Sequence, residues 1–131
     1  MPNSAAVLNA KSAIARHIQW KITLQLAITM QEPLSALHVR EILHFRECAI
    51  GRWLDSAATL PMRVKAEYAD LVRKHIDFHH EMTKIANLIA QGRYEDAARN
   101  ISPSSSFIRS SHALANAVMA YDNVAAIAVP A

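Results

Sequence analysis

Positions that favour an interior recur at three- and four-residue spacing along most of the chain. Ile14, His17, Lys21, Leu24 and Ile28 share one face of a first helix that starts near Ser4 and reaches Met30. Gln31, Glu32 and Pro33 break it. A second helix is predicted over Leu34 to Leu54. A link from Asp55 to Pro61 follows, with Thr59 placed to cap the next helix and Pro61 in its opening turn. The third helix, Pro61 to Gln91, has the clearest stripe: Tyr68, Leu71, Val72, Met82, Ile85 and Ile89, with Gly92 where a C-terminal stop belongs. Tyr94 to Asn100 suits a short helix and Ile101 to Ser105 a loop. Phe107, Ser111, Leu114, Val118, Tyr121 and Ala125 then give a final helix with a repeat of seven. The expectation is an all-α fold, an antiparallel four-helix bundle with one additional short helix. It forms a single domain over residues 1–131, with 126–131 as a tail or the start of a linker.

Composition narrows this picture. With 131 residues, 52% of them hydrophobic, the chain can build one modest core. The net charge of +3 is small, and its lysines and arginines are scattered rather than grouped, adjacent only at Arg73 and Lys74, so a nucleic-acid surface is not expected. The most hydrophobic stretches contain Lys21, Arg40 or Arg73, which argues against a membrane span. The start, MPNSAAVLNAKSA, lacks the basic and apolar blocks of a signal peptide, so the expected compartment is the cytoplasm. A single cysteine excludes an internal disulfide. In a reducing compartment Cys48 is a buried thiol, a reactive thiolate or a metal ligand.

The stretch LVRKHIDFHHEM, Leu71 to Met82, carries the first chemical signal. His75 and His79 lie one turn apart on the apolar stripe of their own helix, whereas His80 points about 100° away. Neutral imidazoles can be buried when each nitrogen finds a partner, and a metal ion can be one of them. Core histidines satisfied by carbonyls or water give the same pattern. Cys48 adds a sulfur donor from the second helix, and His17 lies on the inward seam of the first. His17, Cys48, His75 and His79 would make the mixed sulfur and nitrogen set that zinc takes in a tetrahedron. Two other metal arrangements compete. His44, one helical turn before Cys48, could replace His17. Glu41 and His44 also form a Glu-x-x-His unit of the di-iron type, but it occurs once, without matching glutamates.

Three segments in order resemble the signature of the chemoreceptor zinc-binding, or CZB, domain family: HIQWK at 17–21, ECAIGRW at 47–53 and HIDFHHE at 75–81. They match His-x-x-Trp-Lys, Cys-x-x-Gly-x-Trp and His-x-x-x-His, and SSSFIRSSHAL is similar to the start of the family's last helix. The resemblance implies one Zn2+ per chain held by His17, Cys48, His75 and His79, with Trp20 and Trp53 packing around the site. It further implies a sensory role without catalysis, in a homodimeric bundle. The partner would be an output module in cis or in trans, a GGDEF diguanylate cyclase or a methyl-accepting chemoreceptor. In chemoreceptors of the family the cysteine is also implicated in sensing oxidants such as hypochlorous acid, which the resemblance extends to Cys48. No such output segment is present in these residues. The alternatives are a metal-bearing bundle with an open coordination position, and a purely structural interaction bundle.

Overall fold

A computed structural model describes residues 10–128, and among these every regular element is helical. The elements are α1 (Ala10–Met30), α2 (Ala36–Leu43), α3 (Ala49–Leu54), a 3-10 helix (Ala57–Met62), α4 (Ala66–Ala90), α5 (Tyr94–Asn100) and α6 (Ser106–Ala128). The all-α expectation holds. The expected start of the first helix near Ser4 lies outside the described residues.

The stops follow from local chemistry. At the end of α1, Gln31 takes φ 51°, Glu32 N donates to the Ala27 carbonyl and Gln31 N to that of Ile28. These two bonds satisfy carbonyls that the helix leaves open, and Pro33 prevents its resumption. Gly92, with φ 72°, does the same after α4: Arg93 N bonds the Leu88 carbonyl and Gly92 N that of Ile89. Here glycine meets the left-handed backbone without a Cβ penalty.

The second predicted helix is corrected. Leu34 to Leu54 is two short helices, α2 and α3, separated by the turn 44–48. His44 ends α2, Glu47 N closes back onto the His44 carbonyl, and Cys48 caps α3 by accepting Gly51 N–H at 3.3 Å. No proline or glycine lies within residues 44–48 themselves, so hydrophobic spacing runs through the break unaltered. The described residues therefore hold three long helices, α1, α4 and α6, where four were expected. The link at 55–61 is also more ordered than predicted. Ser56 caps the 3-10 helix, while Thr59 is buried and donates to the Leu54 carbonyl at 2.7 Å instead of capping α4. α4 begins at Ala66, after Lys65, rather than at Pro61. Residues 126–128, expected in a tail, form the last turn of α6, and 129–131 lie outside the described residues.

α4 and α6 make the most extensive helix pair, and α1 lies against α3, α4, α5 and α6, while α2 packs on α4. The stripes read from the sequence face inward: Leu24, Leu71, Met82, Ile85, Phe107, Leu114 and Val118 are almost fully buried. Phe78 stacks on Phe107 with ring centroids 5.4 Å apart, locking α4 to α6 directly beside the histidines. Full burial of each ring stabilises the fold by roughly 2–3 kcal/mol. No described helix is long and apolar enough to cross a membrane.

Candidate metal centre

The break between α2 and α3 builds the site. Because Cys48 ends a turn and begins a helix, its side chain swings into the interior, where it is 3% exposed. Gly51 permits this turn. A Cβ there would lie 1.9 Å from the Phe45 carbonyl oxygen and 2.8 Å from Arg46 Cα, both backbone atoms. The glycine of Cys-x-x-Gly thus lets turn 44–48 close over α3, and its N–H meets the sulfur.

On the facing side, α4 presents His75 and His79 one turn apart, with ring centroids separated by 4.6 Å and both rings buried. Cys48 Sγ and His75 Nε2 lie 3.1 Å apart. One donor atom from each of Cys48, His75 and His79 falls within 4.8 Å of the other two. His79 Nδ1 donates to the Ile42 carbonyl at 2.9 Å, which fixes its tautomer and leaves the Nε2 lone pair for an ion. A half-open cavity of about 200 Å³ reaches this cluster, lined also by Trp20, His38, Glu41 and Phe78.

His17 is buried next to the cluster, its ring centroid 4.6 Å from that of Phe78, but it stands outside the triangle of three donors. Its Nε2 lies 2.5 Å from Ser111 Oγ on α6, and its Nδ1 is buried with no hydrogen-bond partner. Such an orphaned nitrogen is costly in a protein interior. His44, the competing candidate, is exposed at the end of α2 with Nδ1 3.9 Å from a Glu47 carboxylate oxygen. With helix geometry lost between 44 and 48, the His44/Cys48 pair has no shared face. His80 is exposed, as its helical angle implies. Trp20 meets His38 edge-on at 5.6 Å and Trp53 meets Tyr121 at 5.3 Å, so both indoles pack rather than coordinate.

Electrostatics prepare the nitrogens and not the sulfur. Burial, reinforced by His79 and His17, pulls the His75 pKa down to about 3. Burial, with Lys21 and His112, pulls His17 down to about 4. His79 is also lowered by burial, against the opposing pull of the Ile42 carbonyl. All three imidazoles are therefore neutral at pH 7, with lone pairs free for a cation. Burial raises the Cys48 thiol, although the Gly51 and Ile50 amides oppose it, so the thiol must lose a proton as it takes an ion.

A model of the chemoreceptor zinc-binding domain matches residues 17–86, more than half of the chain. The chain belongs to the CZB family. No curated protein and no solved structure matches it. Family and donor chemistry agree: buried thiol and imidazoles make a zinc set, and the cofactor of this CZB domain is Zn2+. The residues fit the ion, since it would satisfy donors that otherwise face one another in the interior. What the sequence did not reveal lies around the candidate donors: the Ile42 carbonyl, the Ser111 hydroxyl and the steric role of Gly51. Of these only Gly51 had a signal, its fixed place three residues after Cys48.

Proposed function

We propose that this chain is a non-enzymatic zinc-sensing regulatory domain in which Cys48, His75, His79 and His17 hold one zinc ion. The convergence of Cys48, His75 and His79 from two separate segments carries the reading. The unpartnered Nδ1 of His17 supports its place as fourth ligand, because a cation is the partner that a buried bare lone pair lacks. Zinc supplies a fixed, non-redox node tying α1, α4 and the capping turn of α3 together. Removing it leaves neutral polar groups in the core, which favours a looser arrangement of α1 against α4. That difference between loaded and empty states is the input passed to an output module in cis or in trans, a diguanylate cyclase or a chemoreceptor signalling segment.

A homodimer is part of this proposal. Ile18, Ile22, Leu26 and Met30 repeat every four residues on the outer face of α1 and are all about half exposed. Such a stripe, with no acidic residue anywhere in α1, suits a second copy of the same chain in a cytoplasmic protein. Oxidation of Cys48 to a sulfenic acid by hypochlorous acid would remove the thiolate donor and act in the same direction as zinc loss.

A second reading has two observations in its favour: His17 lies outside the donor triangle, and the cavity gives small molecules a route to the cluster. A zinc ion with three protein ligands and one exchangeable position would then be open to water. Zinc analysis of protein purified without added metal, paired with the cobalt-substituted spectrum, separates the readings. The sensor reading expects about one ion per chain, a four-coordinate spectrum unchanged by added small anions, and less than a tenth of that metal in Cys48→Ala. Anion-dependent bands would support the open site, and absence of metal from the wild type would defeat both.

A further inference from the structure

The least expected contact at the centre joins α1 to α6. His17 Nε2 and Ser111 Oγ are 2.5 Å apart across 94 residues of sequence, and Ser111 is 2% exposed. Ser111 lies outside residues 17–86, the span that matches the family. Its hydroxyl occupies a seam position of α6 between Phe107 and Leu114, where an apolar side chain would be the ordinary choice.

The tautomer of His17 decides what this contact does. A neutral imidazole carries one N–H and one lone pair. If Ser111 donates to Nε2, the ring proton sits on Nδ1, a buried donor facing no acceptor. If Nε2–H donates to Ser111 Oγ, the proton is used and Nδ1 keeps a bare lone pair in the interior. Only the second arrangement leaves a nitrogen that a cation can bind. The same logic operates at His79, where the Ile42 carbonyl takes the Nδ1 proton and frees Nε2. Histidine ligands generally use their second nitrogen in this way, and loss of the partner weakens metal binding.

We infer that Ser111 is a positioning residue for the zinc centre, holding His17 in the tautomer that offers Nδ1 to the ion and tying α6 to its occupancy. The inference rests on His17 as the fourth ligand. α6 carries no donor of its own in the cluster, yet through Ser111 its register against α1 bears on zinc affinity. Conversely, zinc on Nδ1 polarises the ring and strengthens the bond from Nε2–H to Ser111, drawing α6 toward α1.

The test measures zinc affinity by competition with a chelator in the wild type, Ser111→Ala, Ser111→Thr and His17→Ala. Nitrogen-15 NMR of the His17 ring in the metal-free protein is recorded alongside. The expected results are a 10- to 100-fold loss of affinity in Ser111→Ala and recovery to within about fivefold in Ser111→Thr. The wild-type ring should be protonated at Nε2, and the Ser111→Ala ring should show a mixture of tautomers. A wild-type ring protonated at Nδ1 overturns the inference and needs no variant that folds. So does unaltered affinity in Ser111→Ala when His17→Ala binds weakly, a result that keeps His17 as ligand. Equal affinity of His17→Ala and wild type instead removes the fourth-ligand reading itself.

Discussion

Cys48 Sγ and His75 Nε2 lie 3.1 Å apart, one delivered by a capping turn and the other by the middle of a long helix. Neither segment fixes the other through the backbone, so a shared ion would contribute directly to holding them together. Chelation should therefore lower the melting temperature of the wild type. At free zinc about a thousandfold above Kd the ion contributes about 4 kcal/mol, equivalent to roughly 8–16 °C for a chain of this size. Cys48→Ala should melt at the same temperature with and without chelator. Scanning calorimetry reads both, and a chelator-insensitive wild type would remove zinc as a stabilising ligand.

His44 gives the opposite expectation. Its ring is exposed and sits beside Glu47, on a chain segment that turns away before Cys48 points inward. His44→Ala should leave zinc affinity within about twofold of wild type and stability within about 0.5 kcal/mol, as for ordinary surface changes. Chelator competition and urea unfolding would check this. A tenfold weaker zinc affinity would restore His44 as a ligand.

These two residues also mark how far the fold and site can be read from sequence. The three long helices were legible because each buries a stripe at helical spacing, as Leu71, Met82, Ile85 and Ile89 do on α4. Likewise the i, i+4 pair His75 and His79 needed only a continuous helix to be placed on one face. The break at 44–48 was not legible, since a cap formed by a thiol and one glycine leaves hydrophobic periodicity intact. Ser111 read as a seam residue, yet nothing in its spacing could pair it with His17, because that contact depends on how α1 and α6 dock. Short-range chemistry was visible, while long-range partners were not.

Gly51 makes a sharp steric prediction. Its hydrogen stands where a Cβ would overlap the Phe45 carbonyl oxygen at 1.9 Å, and backbone cannot rotate aside as a side chain does. Gly51→Ala must push turn 44–48 away from α3 and carry Cys48 Sγ with it, because Cys48 ends that turn and its thiol donates to the Phe45 carbonyl at 3.3 Å. The expected cost is about 1–3 kcal/mol in the metal-free protein, the usual range for overpacking. Zinc affinity should fall more than tenfold in addition. Urea unfolding in chelator isolates the first effect and zinc competition the second. Wild-type values for both would show that the turn is free to move.

Acid should unfold the metal-free protein through the same histidines that prepare the site. His75 and His17 have folded pKa values of about 3 and about 4, against about 6.5 for an unfolded histidine, and His79 is shifted in the same direction. Between those limits the unfolded chain binds protons that the folded chain refuses, so stability is fully present above pH 6.5 and falls as pH drops. Each ring that stays neutral costs about 1.4 kcal/mol per pH unit in this window, or roughly 3 kcal/mol per unit for His17 and His75 together down to about pH 4, and His79 adds in the same direction. A domain near 5 kcal/mol, the low end of ordinary stability, should therefore reach its acid midpoint about 2 units below pH 6.5. Urea unfolding in chelator at pH 7.5, 6.5, 5.5 and 5.0 should give a flat upper limb and a steep lower one. His17→Gln should reduce the lower slope by about one proton, because it removes one buried ring without touching the other two. A slope unchanged in His17→Gln would mean that His17 already accepts a proton in the folded protein, so that burial does not keep the ring neutral.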